Sequence, residues 1–154
     1  MKWQNNILII RQLDKKLEGL RPILDFMPPP EGWIKLIRKT LKMSLRQLGV
    51  RMSMSAQSVR DMEVREKEGS LTLKKLSEAA EALDMKLVYG FISREGTLED
   101  MIGREAFKIA STIVNRTSTS MRLEDQENSP ERLKQAISEL TEELKREMPK
   151  MLWD

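Results

Sequence analysis

The chain contains neither cysteine nor histidine. The first absence excludes a disulfide framework, a thiolate nucleophile and a cysteine zinc site. The second removes the commonest metal ligand and the commonest general base. Carboxylates alone remain for catalysis, and they form no recognisable constellation, so the sequence reads as a non-enzyme with no cofactor and no metal. Aromatic residues make up only 5% of the chain, leaving Leu, Ile, Met and Ala to fill a core. No apolar run approaches the ~20 residues needed to cross a bilayer. No signal-peptide pattern opens the sequence, and a cytoplasmic location is expected. Repeats and low-complexity tracts are also lacking. A length of 154 residues suits one domain, or a small domain with helical attachments.

A further absence is local. From Gly32 to Arg60 there is no acidic residue, while Lys35, Arg38, Lys39, Lys42, Arg46, Arg51 and Arg60 are all basic. The whole chain carries only +3, distributed as +2 over residues 1–30, +4 over 31–95 and −3 over 96–154. A charge run is ordinarily a solvated face. A run of 29 residues without one counter-charge is better matched to a polyanion-binding surface, which needs a field of one sign.

What is present is mostly helical punctuation. Ile10, Leu13, Leu17 and Leu20 recur at helical spacing and predict a first helix over 6–24. The prolines of "MPPPEG" break it. Ile34, Ile37 and Leu41 mark a second helix opening at Trp33. Ser44 and Gln47 form a capping-box pattern that starts a third, and Arg51 to Met54 is the turn. Ser55 caps a fourth helix running to about Glu63, Gly69 closes the next loop, and Thr72 caps a fifth with Leu73, Leu76, Ala79, Ala80 and Leu83 inward. "MKLVYGFI", residues 85–92, is rich in β-branched and aromatic residues and predicts a strand. A lone strand cannot satisfy its own backbone, so pairing with a second copy is expected. Thr97 caps a long helix to about Thr117 with Ile102, Ala106, Ile109 and Ile113 as its stripe, widened by Phe107, Ala110 and Val114. After the polar connection "RTSTSMRLEDQENS", Ser129-Pro130-Glu131 starts a last helix. Leu133, Ile137, Leu140 and Leu144 form its seam, Pro149 ends it, and Trp153 lies near the end of the chain.

The two short helices around residue 53 are stable only against others. With their flanks, from Ile34 to Leu87, they resemble the helix-turn-helix of five-helix, phage-repressor-like regulators. The resemblance rests on an arginine in the first helix (Arg38), "L-K-M-S" before the second, Gly49 at the crossing, "S-x-x-S-V" in the recognition helix and Glu63 near its end. Ser53 stands where that family usually has glycine. A left-handed backbone there costs a non-glycine residue ~1 kcal/mol.

On this arrangement the amino end of the recognition helix enters a major groove. Ala56, Gln57, Arg60 and Asp61 are the expected base contacts: Gln57 suits adenine, Arg60 guanine and Ala56 a thymine methyl. Ser44, Ser55 and Ser58, with amides at the helix starts, suit phosphate oxygens. Lys39, Lys42 and Arg46 add charge along the backbone. The resemblance implies that Arg38 pairs with Glu63 as a structural ion pair. Met43, Met52, Met54 and Met62 read as packing in the core or turn.

A longer resemblance covers "IRQLDKKL", "PEGWIKLIRKTLKMSLRQLG", "GSLTLKKLSEAAEALDMKLVYGFI", "TSMRLEDQ" and the terminal "LWD". Together these segments resemble the family called mobile mystery protein A, helix-turn-helix proteins encoded beside mobile mystery protein B, which carries a Fic domain. The family pattern has a histidine just before "SMRLEDQ" that this chain lacks. The resemblance implies an antitoxin-like regulator partnered with a Fic-domain protein. The motif by which Fic inhibitors block the nucleotide pocket, [Ser/Thr]-x-x-x-Glu-[Gly/Asn], is not met. Ser77 and Glu81 are followed by Ala82, Ser120 and Glu124 by Asp125, and Ser138 and Glu142 by Glu143.

The expected fold is therefore mainly α: an N-terminal helix and Pro-rich linker over 1–30, a five-helix repressor-like domain with a terminal dimer-pairing strand over 31–95, and C-terminal helices over 96–154. The expected function is sequence-specific transcriptional regulation by a homodimer on an inverted-repeat operator in double-stranded DNA. The alternative is a protein-interaction antitoxin that neutralises its partner directly. In that case residues 97–154 serve for docking, or else simply cover the first helix of the same chain.

Overall fold

The computed structural model describes residues 2–123 and 129–154. Among these, α1 (Lys2–Glu18), α2 (Trp33–Thr40), α3 (Leu45–Arg51), α4 (Ala56–Glu68), α5 (Leu73–Ala82), α6 (Leu98–Leu123) and α7 (Pro130–Glu147) are α-helices. Short 3-10 turns cover Arg21–Ile23 and Lys150–Trp153. The molecule is mainly α, and no described residue is in a β-strand. It divides into two compact units. One comprises Asp25–Gly90 and the other Met1–Leu24 with Phe91–Asp154, so α1 groups with the carboxy-terminal helices. Among the described residues no helix is long and apolar enough to cross a membrane.

The unit from Asp25 to Gly90 packs α2 to α5 around Ile34, Leu48, Val59, Met62, Ala79 and Leu83. Met43, Met52 and Met54 pack against this cluster. Helices of seven and eight residues cannot persist by propensity alone, and each is fastened at both ends. Ser44 Oγ accepts the Gln47 amide at 3.1 Å while Gln47 Oε1 accepts the Ser44 amide at 2.7 Å. Ser55 and Thr72 likewise cap α4 and α5. All four helices end on a left-handed residue, namely Lys42, Ser53, Gly69 and Asp84. The amides of Met43, Met54, Ser70 and Met85 return to carbonyls five residues back, at 2.8–2.9 Å. Only Gly69 adopts this geometry free of steric cost.

In the other unit, Ile102, Ala106, Ala110, Leu144 and Leu152 form the core, with Ile10, Ile109, Ile137 and Leu140 against them. The seam of α7 is thus filled by its own chain. Small residues at 106 and 110 place the α6 backbone close to its neighbours, whereas Phe107 and Ile113, expected in the stripe, are exposed. Asp14 of α1 caps α6, its carboxylate accepting the amides of Leu98 at 2.8 Å and Glu99 at 3.3 Å. Thr97 and Asp100 cap it reciprocally. Leu152, not Trp153, is the buried anchor of the final turn.

Several expectations change, among them the end of the long helix, since α6 runs to Leu123 and not to about Thr117. The first helix ends at Glu18, before Gly19, and α4, expected to end at about Glu63, runs on to Glu68. Residues 85–92 are not assigned to a strand in the single chain, and among the described residues their amides and carbonyls from 86 to 92 have no backbone partner; the expected pairing was with a second copy. Residues 124–128 of the polar connection lie outside the described residues.

Candidate nucleic-acid interface

The turn between α3 and α4 sets the site. The Met54 amide donates to the Gly49 carbonyl at 2.9 Å. A Cβ on Gly49 would lie 2.5 Å from the Met54 carbonyl oxygen, so no larger residue fits without moving backbone. Ser53 (φ 55°) takes the left-handed position that reverses the chain. The two helices are thereby held in a tight, fixed crossing.

Within α4, Val59, Met62 and Glu63 are buried while Gln57, Arg60 and Asp61 are exposed. Spacings of three and four put the latter on one outward stripe. Gln57 Nε2 donates to Asp61 Oδ1 at 3.0 Å. That bond uses one of the two amide hydrogens and leaves the other, with the carbonyl oxygen, free to meet an adenine edge. Ala56 stands exposed at the amino end of the helix.

The cations around this stripe are free. Lys39, Lys42, Arg46 and Arg60 are exposed, and none has a hydrogen-bond or ion-pair partner among the described residues. Arg51 differs, since its Nη1 donates to the Ala82 carbonyl at 3.1 Å. Leu41, Lys42, Ser44, Arg46, Gln47 and Arg51 line a shallow groove of about 740 Å³ beside α3. The expected serines are partly committed. Ser44 and Ser55 accept the Gln47 and Ser58 amides, and the Ser55 and Ser58 hydroxyls lie 2.9 Å apart. The amides of Leu45 and Arg46, and of Ala56 and Gln57, remain to face an anion.

Arg38 and Glu63 support the stripe from behind. Arg38 Nε and Nη2 donate to the two Glu63 carboxylate oxygens at 2.5 and 3.1 Å, and Nη1 donates to the Met43 carbonyl at 2.9 Å. Glu63 is buried and Arg38 partly buried, and the pair ties α2, its exit and α4 into one frame.

The sequence reading missed Glu66. Gly32, the residue before α2, has no side chain to cap that helix. Glu66 of α4 supplies the acceptor instead, taking the Ile34 amide at 2.9 Å. A Cβ on Gly32 would fall 2.7 Å from Glu66 Oε1. Burial raises the Glu66 pKa above its ordinary value, against the opposing effect of the Ile34 and Trp33 amides. The available signals were a glycine at a helix start and two acids, Glu63 and Glu66, three residues apart on the inward face of α4.

Among the described residues no cluster of acidic side chains could hold a metal ion. No family model, curated protein or solved structure matches the chain.

Proposed function

We propose that the chain is a sequence-specific DNA-binding regulator that controls its own gene, with α4 as the recognition helix. One observation carries this reading: an outward stripe of Gln57, Arg60 and Asp61 on a helix locked by its turn is joined in the acid-free stretch by three more exposed cations, Lys39, Lys42 and Arg46, that have no side-chain partner among the described residues. Lys39, Lys42 and Arg46 serve phosphates, and Gln57 and Arg60 serve base edges, with Asp61 orienting Gln57. The five-helix repressor-like fold and membership of the mobile mystery protein A family are part of the same proposal, supported by the motifs quoted above. A cytoplasmic location follows from them. Titration of the full chain against duplex from upstream of its own gene, and against a shuffled duplex of equal composition, tests the reading. Tighter binding to the first supports it, and equal binding refutes specificity.

A second reading, that the chain holds a Fic-domain protein directly, is favoured by exposed Leu8, Ile9 and Leu13 on α1 and by Trp153. Their exposure leaves apolar surface uncovered in the unit that lacks the basic stretch from Gly32 to Arg60. Retention of the partner by the unaltered chain but not by Ile9→Asp would support it.

A further inference from the structure

In the segment from residue 85 to 92 the Met85 amide closes α5 and Leu87 and Ile92 are partly buried, while the rest faces solvent. Val88 is 71% exposed, Tyr89 70% and Phe91 84%. From Lys86 to Ile92 no backbone amide or carbonyl has a backbone partner. Exposed aromatic side chains together with unsatisfied backbone are the two things an added strand relieves.

The order of the residues restricts what that strand can be. Met85, Leu87, Tyr89 and Phe91 fall on one face of an extended chain, and Lys86, Val88, Gly90 and Ile92 on the other. Two identical strands related by a two-fold axis normal to the sheet keep their faces, so facing residues must have numbers of equal parity. Centring the axis on Val88 sets Met85 against Phe91 and Leu87 against Tyr89, twice each. The odd face then becomes one continuous apolar surface. On the even face Lys86 lies opposite Gly90, whose bare backbone accepts the lysine stem, and the two Lys86 ammonium groups stay far apart. Centring on Leu87 would bring Val88 opposite Lys86. Centring on Tyr89 would set Met85 against Ser93. The segment is therefore complementary to itself in one register.

We infer that residues 85–92 pair antiparallel with the same segment of a second copy about a two-fold axis at Val88. The pairing stands on the segment alone. Its consequence, two α4 helices presented to an inverted-repeat operator, rests on the DNA-binding reading.

The chain has no native cysteine, so single-cysteine variants of the full chain report the register directly. In Val88→Cys the two thiols face each other, within reach of oxidation or of a short thiol-to-thiol cross-linker. In Lys86→Cys they are offset by four residues, ~14 Å along the strands. The expected result is a cross-linked dimer from most Val88→Cys chains and from few Lys86→Cys chains, with the unaltered protein a dimer in sedimentation equilibrium at micromolar concentration. A monomer there overturns the inference, and preferential cross-linking of Lys86→Cys overturns the register. A cross-linked dimer that ignores upstream DNA would leave the pairing intact and sink the DNA-binding reading.

Discussion

The two units place charge differently: the acid-free stretch from Gly32 to Arg60 lies wholly in one of them. In the unit made of Met1–Leu24 and Phe91–Asp154, many cations are already engaged. Arg11 meets Glu99, Lys108 meets Glu105, Lys145 meets Glu142, and Arg21 and Arg104 donate to the Gly96 and Glu95 carbonyls. In the unit Asp25–Gly90, Arg38 is partly buried against Glu63, while the side chains of Lys39, Lys42, Arg46 and Arg60 face solvent with no partner among the described residues. Both units cap a helix with a carboxylate from another helix, Asp14 for α6 and Glu66 for α2. The architecture is thus built by the same means in both, and exposed cations without a partner among the described residues, Arg132 and Lys150 among them, occur in both. The difference lies in the acids between them, since Asp25–Gly90 has twelve basic and nine acidic residues and the other unit fifteen of each. A surface of unneutralised cations is repulsive within the folded chain and favours an anionic partner.

The comparison breaks most sharply at the ion pairs. Arg38→Met leaves Glu63 buried and uncompensated, and should cost ~3–5 kcal/mol in denaturant unfolding. Arg38→Met with Glu63→Leu should recover most of that loss. Arg11→Ala removes an exposed pair at 3.4 Å and should cost under ~1 kcal/mol. Equal losses at the two sites would remove the distinction between a structural frame and a solvated contact.

Lys42 separates charge from backbone. It sits at φ 54°, so Lys42→Gly should stabilise the fold by ~0.4–1 kcal/mol. The same variant should bind every DNA sequence more weakly and flatten the salt slope by about one unit. Ser53→Gly should give the same gain in stability with no change in the salt slope. A salt slope unchanged by Lys42→Gly would remove that residue from the interface.

Glu66 gives a smaller, pH-dependent effect. Its pKa is raised in the folded state by burial. Its contribution is therefore fully present below the unfolded value and lost as pH rises through the folded one. Glu66→Gln keeps an acceptor for the Ile34 amide and does not ionise. It should be at least as stable as the parent at neutral pH, and its stability should vary less as pH rises from the ordinary glutamate range toward neutral. Glu66→Ala should lose about 1 kcal/mol as a vacated cap. A Glu66→Gln variant much weaker than the parent at neutral pH would show that the ionised cap is the favourable one.

Much of this was legible in the chain because it is local. Ser44 with Gln47, Ser55, Thr72, Thr97 and Ser129 announce helix starts through hydrogen bonds spanning three residues. Gly49 and Ser53 announce a turn through sterics. The cross-helix carboxylates Asp14 and Glu66 were not legible, since each reaches an amide 32 or more residues away and an exposed acid in a helix looks the same in sequence. The α7 seam was legible as apolar, but its occupant was not. A stripe of leucines is the same whether α6 or another protein fills it. The β-rich composition of residues 85–92 was legible for the same reason that no strand forms there: propensity is a property of the segment, and pairing needs a second one.

The central claim is that the unpaired cations of the Asp25–Gly90 unit bind DNA. The direct measurement is the affinity of the full chain for upstream duplex at a series of salt concentrations, beside a variant in which Lys39, Lys42 and Arg46 are all changed to Gln. The expected slope of log K against log salt is steeper than that of the variant by about 3 per bound copy, and the preference for upstream over shuffled duplex should survive in both. A slope that does not change, or no binding to either duplex at low salt, would contradict the account.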